Sequence, residues 1–192
     1  MTLQNDHVRL EPLQREHALA LGDVGAEPSI WTWFYTAPTT PTLMHEWVDS
    51  LIALRDGGRH LPFAIVERGG DRVVGSTSLG NLALEHRRLE IGWTWVAPAW
   101  QRTAVNTAAK RLLLGHAFDD LGCERVEFKT DAANERSRAA ILRLGAIEEG
   151  TLRHHMRRPD GTWRDSVYFS LLADEWPAVR ERLDVRLGQR ST

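Results

Sequence analysis

The chain has 192 residues and a formal net charge of −2, from 24 Lys+Arg against 26 Asp+Glu. That balance excludes general nucleic-acid affinity, which needs a basic surplus. The 42% hydrophobic and 26% charged content is that of a globular domain rather than a disordered chain. The single cysteine, Cys123, excludes an internal disulfide, and no Cys/His cluster has zinc spacing, so no metal is expected. No apolar run approaches the roughly 20 residues of a membrane span, and Met1 to Asp6 lacks a signal-peptide pattern. These features predict a cytoplasmic protein with no nucleic-acid or membrane partner.

In chain order, the alternation of Val8, Leu10 and Pro12 with polar neighbours predicts a strand over 7–13, and 15–21 reads as a short helix. An aromatic stretch follows, Trp31, Trp33, Phe34 and Tyr35. Pro41-Thr42 opens a helix to about Arg55, and Gly57-Gly58 stops it. Leu61 to Glu67 and Arg72 to Leu79 form a hairpin around Arg68-Gly69-Gly70-Asp71. Arg88 to Val96 alternates, which puts Leu89, Ile91, Trp93 and Trp95 on one face. Thr103 to Leu121 is a long helix ended by Gly122, 125–130 a short strand, and Asn134 to Leu144 a helix closed by Gly145. Two last strands, 147–156 and 163–172, are joined at Pro159-Asp160-Gly161. The order predicts one α/β domain over 1–174 with a mixed, mostly antiparallel sheet flanked by helices. A polar helix or frayed tail over 175–192 completes the chain.

Chemistry concentrates where the 88–96 strand feeds the long helix. A helix start offers unpaired N–H groups and a positive dipole end, which hold a diphosphate without cationic side chains. Around it Thr103, Ala104, Asn106 and Thr107 are small or polar, and Arg102 adds charge. The same segment fits an ordinary strand–helix connection capped by Thr103. Asn134-x-x-Ser137 opens the next helix, either as a simple cap or as a polar pair facing the same crevice. Glu90 lies on the polar face of its strand, where a carboxylate pairs with Arg88 or another arginine. His154 and His155, adjacent in a strand, face opposite ways and cannot readily chelate together.

From about Leu61 to Leu172 the chain resembles the GNAT acetyltransferases, and within them the RimJ/RimL-like group. The matching pieces are R-L-E-I-G-W-T-W-V at 88–96, Q-R-T-A-V-N at 101–106, T-D-A-A-N-E-R-S-R-A-A-I-L-R-L-G-A at 130–146 and D-G-T-W-R-D-S-V-Y-F-S-L-L at 160–172. The resemblance implies a central strand–helix–strand unit that binds acetyl-CoA. It also implies direct transfer of the acetyl group to a primary amine, either a protein N-terminus or a small molecule. By position, the amides of Arg102, Thr103, Ala104, Val105, Asn106 and Thr107, with Gln101, would hold the diphosphate. Trp95 and Val96 would pair with the pantetheine arm and Asn134 would bond it. Ser137 would sit near the thioester sulfur, and Glu90 would take the amine proton. Trp31, Trp33 and Tyr35 as a cluster would wall the acceptor or join an interface, while any one of them alone fits a plain core-facing residue; dimers are common among such proteins. Two departures stand out. Ala104 and Asn106 replace glycine-type positions, and Ile141 stands where many members carry a tyrosine. They lend support to a non-catalytic CoA-binding sensor; within the enzyme class the rival reading is a small-molecule or antibiotic-modifying acyltransferase.

Overall fold

The computed structural model describes residues 1–188, so the end of the expected tail, 189–192, lies outside the described residues. The strands are β1 (Leu3–Gln4), β2 (Val8–Pro12), β3 (His60–Glu67), β4 (Arg72–Ala83), β5 (Arg88–Val96), β6 (Arg125–Asp131), β7 (Ile147–Arg157) and β8 (Trp163–Leu172). The helices are α1 (His17–Gly25), α2 (Pro41–Asp56), α3 (Ala104–Gly115), α4 (Glu135–Leu144) and α5 (Trp176–Arg186). One eight-stranded sheet runs β1-β2-β3-β4-β5-β6-β8-β7, and every pair is antiparallel except β5–β6. The fold expected from the sequence is the one observed.

Local chemistry sets the boundaries. Thr40 caps α2 by accepting from the Leu43 amide at 3.3 Å, with Pro41 just inside. Asn134 caps α4 by accepting from the Ser137 amide at 3.0 Å, and Gly145 ends it at φ +100°. The long helix expected to Leu121 is α-helical only to Gly115 and continues as a wider turn over His116–Asp120.

Two apolar cores hold the sheet. One collects Leu10, Ile65, Leu79, Leu89, Ile91 and Phe128 with α3, α4 and α5. The other packs Leu13, Leu21, Met44, Trp47 and Val48 of the α1–α2 side against Trp95. The C-terminal helix is no loose polar tail: Trp176, Val179 and Leu183 are each at most 3% exposed in the first core.

The expected alternation of β5 fails at one place. Ser78 pairs with Gly92 and Ser76 with Trp95, so Trp93 and Thr94 together oppose Thr77. This is a β-bulge, with Trp93 at φ +51°. Leu89 and Ile91 therefore point into the first core, whereas Trp95 points into the second. Trp93 rests on His60, ring centroids 4.0 Å apart, and on Gly80, where a Cβ would lie 2.5 Å from the indole. Gly80 is thus required by close approach rather than by its turn preference.

Candidate active site

The parallel pairing of β5 and β6 covers only Arg88–Glu90 against Arg125–Glu127. Past Glu90 the strands part. β5 follows β4 through its bulge to Val96, while β6 stays with β8 to the pair Asp131–Ser166. The gap leaves strand edges with backbone groups free to accept an extended ligand as an added strand.

The start of α3 adjoins this gap. Thr103 caps it, and its hydroxyl accepts from the Val105 amide at 3.3 Å. The amides of Arg102, Thr103, Ala104 and Asn106 donate to no acceptor among the described residues. Arg102 has φ +62°, a left-handed residue between the extended Gln101 and Thr103. Ala104, Asn106 and Thr107 are half-buried, whereas the Val105 side chain is buried in the first core. Gln101 is a brace: its Nε2 donates to the Val96 carbonyl at 2.9 Å and its Oε1 accepts from Arg136 at 3.0 Å. Its side chain thus ties the end of β5 to α4 behind the loop. Trp95 and Val96 are both buried, so only their backbones are placed for pairing with a ligand. Asn134 spends its Oδ1 on the α4 cap, and the Ser137 hydroxyl makes no hydrogen bond with the described residues.

Glu90 occupies the last paired position, at the apex of the gap, and is 3% exposed. Its Oε2 accepts from Asn81 Nδ2 at 2.6 Å and faces Lys129 Nζ at 3.3 Å. Arg88, the partner considered from sequence, pairs with Glu127 instead, at 3.4 Å. Glu90 opens on a cavity of about 560 Å³ that Asn81, Glu127 and Tyr168 also line. Tyr168 carries Lys129 over its ring at 5.7 Å and touches His155 edge-on at 5.8 Å. Burial, reinforced by the Lys129 and Arg164 charges, pushes the His155 imidazole below its usual range. His154 faces away and stacks on Trp163, as opposite strand faces require.

The aromatic segment divides. Trp33, Phe34 and Tyr35 line a second cavity, of about 190 Å³, against Arg158, Pro159 and Arg164 of the β7–β8 hairpin. Trp31 does not join it. Its indole donates to the Gly25 carbonyl at 2.8 Å inside the second core, against Trp47 and Trp95, which corrects its placement as an acceptor wall. Its sequence neighbours give the reason: Pro28–Trp31 forms a 3₁₀ turn that rotates Trp31 inward, before the chain opens at Thr32.

Three groups escaped the sequence reading. Asn81 and Lys129 complete the Glu90 cluster. The signal for Lys129 was present, since it alternates with Val126 and Phe128 on the polar face of β6. The third is Lys110, whose Nζ is buried in α3 and donates to Thr94 Oγ1 at 2.6 Å beside the bulge. Thr94 in turn bonds Thr77 at 2.7 Å. Burial drives the Lys110 amine down to about 7.

The comparisons agree with this architecture. The family model for the acetyltransferase (GNAT) domain matches residues 7–147. The chain is 40% identical over 102 residues to the "Putative ribosomal N-acetyltransferase YdaF" of Bacillus subtilis (strain 168), a match that spans 53% of this chain and only 55% of that relative. It is similar to the crystal structure of a GCN5-related N-acetyltransferase from Brucella melitensis, with TM-score 0.90 and 29% identity, over 96% of this chain and 84% of that one. It is also similar to Mycobacterium smegmatis RimJ in complex with CoA-disulfide, with TM-score 0.79 and 28% identity, over 95% and 90% of the two chains. The parted strands, the open helix start and these matches together make the chain a member of the GNAT acetyltransferase family, of the RimJ/RimL-like kind.

Proposed function

We propose that the protein transfers the acetyl group of acetyl-CoA to a primary amine, by direct attack with both substrates bound. The observation that carries this reading is the gap beyond Glu90 together with the unengaged amides at the start of α3. Such amides and a helix dipole suit a diphosphate. The open β5 edge from Gly92 to Val96 suits the amide-bearing pantetheine arm. Acetyl-CoA supplies the activated acetyl, and the chain's own groups do the rest. An amide near the Trp93 bulge is placed to donate to the acetyl oxygen as charge builds there, a contribution of about 2.7–4 kcal/mol in well-built sites. Glu90, directly or through water, takes the proton that the ammonium must lose before its nitrogen can attack. The new C–N bond forms as the C–S bond breaks, and the leaving thiolate, with a pKa near 8.5, needs no strong acid. The buried Ile141, at the position where the resemblance implies a tyrosine, fits a step that needs no such acid.

The acceptor we favour is a protein N-terminus, in line with the ribosomal N-acetyltransferase named among the relatives and the RimJ neighbour. Thiol release from acetyl-CoA, measured against peptides with free and blocked N-termini and a panel of small amines, tests it. Turnover confined to free N-termini is expected. Binding of acetyl-CoA without thiol release on any amine would leave only a sensor.

A further inference from the structure

The cavity between the aromatic segment and the β7–β8 hairpin holds a guanidinium that lies over the Tyr35 ring but has no hydrogen-bonding partner among the described residues. Arg164 is 8% exposed, its Nε has no partner, and its guanidinium forms no hydrogen bond or ion pair with the described residues. A guanidinium offers five donors in a planar fork, and burying it uncompensated is costly. Neighbouring charges are committed elsewhere. Arg158 gives one nitrogen to Asp131 and another to the Trp163 carbonyl at 2.6 Å. Asp160 accepts from the Thr162 amide at 2.9 Å and from its hydroxyl at 2.7 Å. A second buried group also lacks a partner: the Tyr35 hydroxyl, whose ring lies 5.8 Å from the Arg164 guanidinium. Both groups line the same cavity of about 190 Å³, walled by Trp33, Phe34 and Pro159. Arg164 is two residues along β8 from Ser166, which pairs with Asp131 at the end of β6. That separation is about 7 Å, so the cavity adjoins the open end of the gap.

We propose that this cavity binds a carboxylate carried by the acetyl acceptor, with the Arg164 fork and the Tyr35 hydroxyl as donors. The proposal rests on the acetyltransferase reading and narrows its acceptors to amines that bear a carboxylate within reach of the reacting nitrogen. One guanidinium fork matches the two oxygens of a carboxylate. A phosphate dianion calls for further cations, and Arg158 is already paired with Asp131.

Paired acceptors that differ only in that group test it in the thiol-release assay. One pair family is free amino acids against their carboxamides. The other is peptides with Asp or Glu against Asn or Gln beside the free N-terminus. The carboxylate member of one family is expected to have kcat/KM higher by about tenfold or more, and that family identifies the source. Arg164→Gln should collapse the preference towards unity, Tyr35→Phe should reduce it, and neither should lower Tm, since Arg164→Gln removes an unpaired charge. Equal kcat/KM within both families, a preference that survives Arg164→Gln, or a variant that unfolds or melts early would overturn the proposal. Calorimetry with N-acetyl amino acids and their amides needs no turnover. Carboxylate-selective binding lost in Arg164→Gln, without thiol release on any amine, sinks the transferase reading alone. Thiol release without charge preference sinks the carboxylate site alone.

Discussion

One face of the sheet carries two unlike regions. Over β2 to β5 it is roofed by α1 and α2, and Leu13, Met44, Trp47 and Trp95 fill the space with apolar atoms. Over β6 and β8 no helix among the described residues covers this face; its outward positions read Glu127, Lys129, Asp131, Arg164, Ser166 and Tyr168, with the Trp33–Tyr35 segment over Arg164. Their inward neighbours Val126, Phe128, Val167 and Phe169 are buried in the first core. The two regions meet at Glu90, where β5 and β6 part. The helix-covered half is thus filled with apolar atoms, whereas the other half keeps polar groups, several of them buried, that need partners.

Substitutions on the two sides should therefore fail in different ways. Glu90→Gln is expected to lower kcat by about 10²–10⁴ while acetyl-CoA binding is kept. A variant with wild-type kcat removes Glu90 as base. Trp47→Ala, on the roofed side, should cost about 3–5 kcal/mol in urea unfolding. A loss well under that range would mean that Trp47 is not tightly packed in the α1–α2 core. Lys110, on α3 against the opposite face of the sheet, titrates in a sensitive window. Its folded pKa, about 7, is below its unfolded value, so the unfolded chain binds more protons between roughly pH 7 and 10.5. Stability should rise with pH across that window, and Lys110→Met should flatten the slope. Equal slopes in wild type and variant would show that Lys110 keeps its proton when buried. Ala104→Leu, where a side chain would intrude on the open amides, should weaken acetyl-CoA binding by about tenfold, or 1.4 kcal/mol. Unaltered affinity in a calorimetric titration would misplace the diphosphate site. The smallest effect belongs to the exposed pair Arg15–Asp49, at 2.7 Å: Arg15→Ala should shift stability by less than about 1 kcal/mol.

Much of this was legible in the sequence because local signals agreed with the tertiary outcome. The capping residues Thr40, Thr103 and Asn134, the stop at Gly145 and the alternation of β8 each act within a few residues. The strand–helix corner of the candidate site was readable for the same reason. What sequence periodicity missed is non-local. The bulge at Trp93 depends on the facing Thr77 of β4, so period-two counting puts Trp95 on the face of Leu89 and Ile91, whereas it packs in the second core. The Glu90 cluster needs Asn81 from β4 and Lys129 from β6, residues that only the register brings together. Trp31 and Tyr35, four residues apart, part company because a 3₁₀ turn ends between them.

Amide hydrogen exchange with and without acetyl-CoA reads the decisive region directly. Slowed exchange over Gly92 to Thr107, with α2 unchanged, is the predicted result. Exchange in that segment unaffected by saturating acetyl-CoA, or protection confined to some other part of the chain, would contradict it.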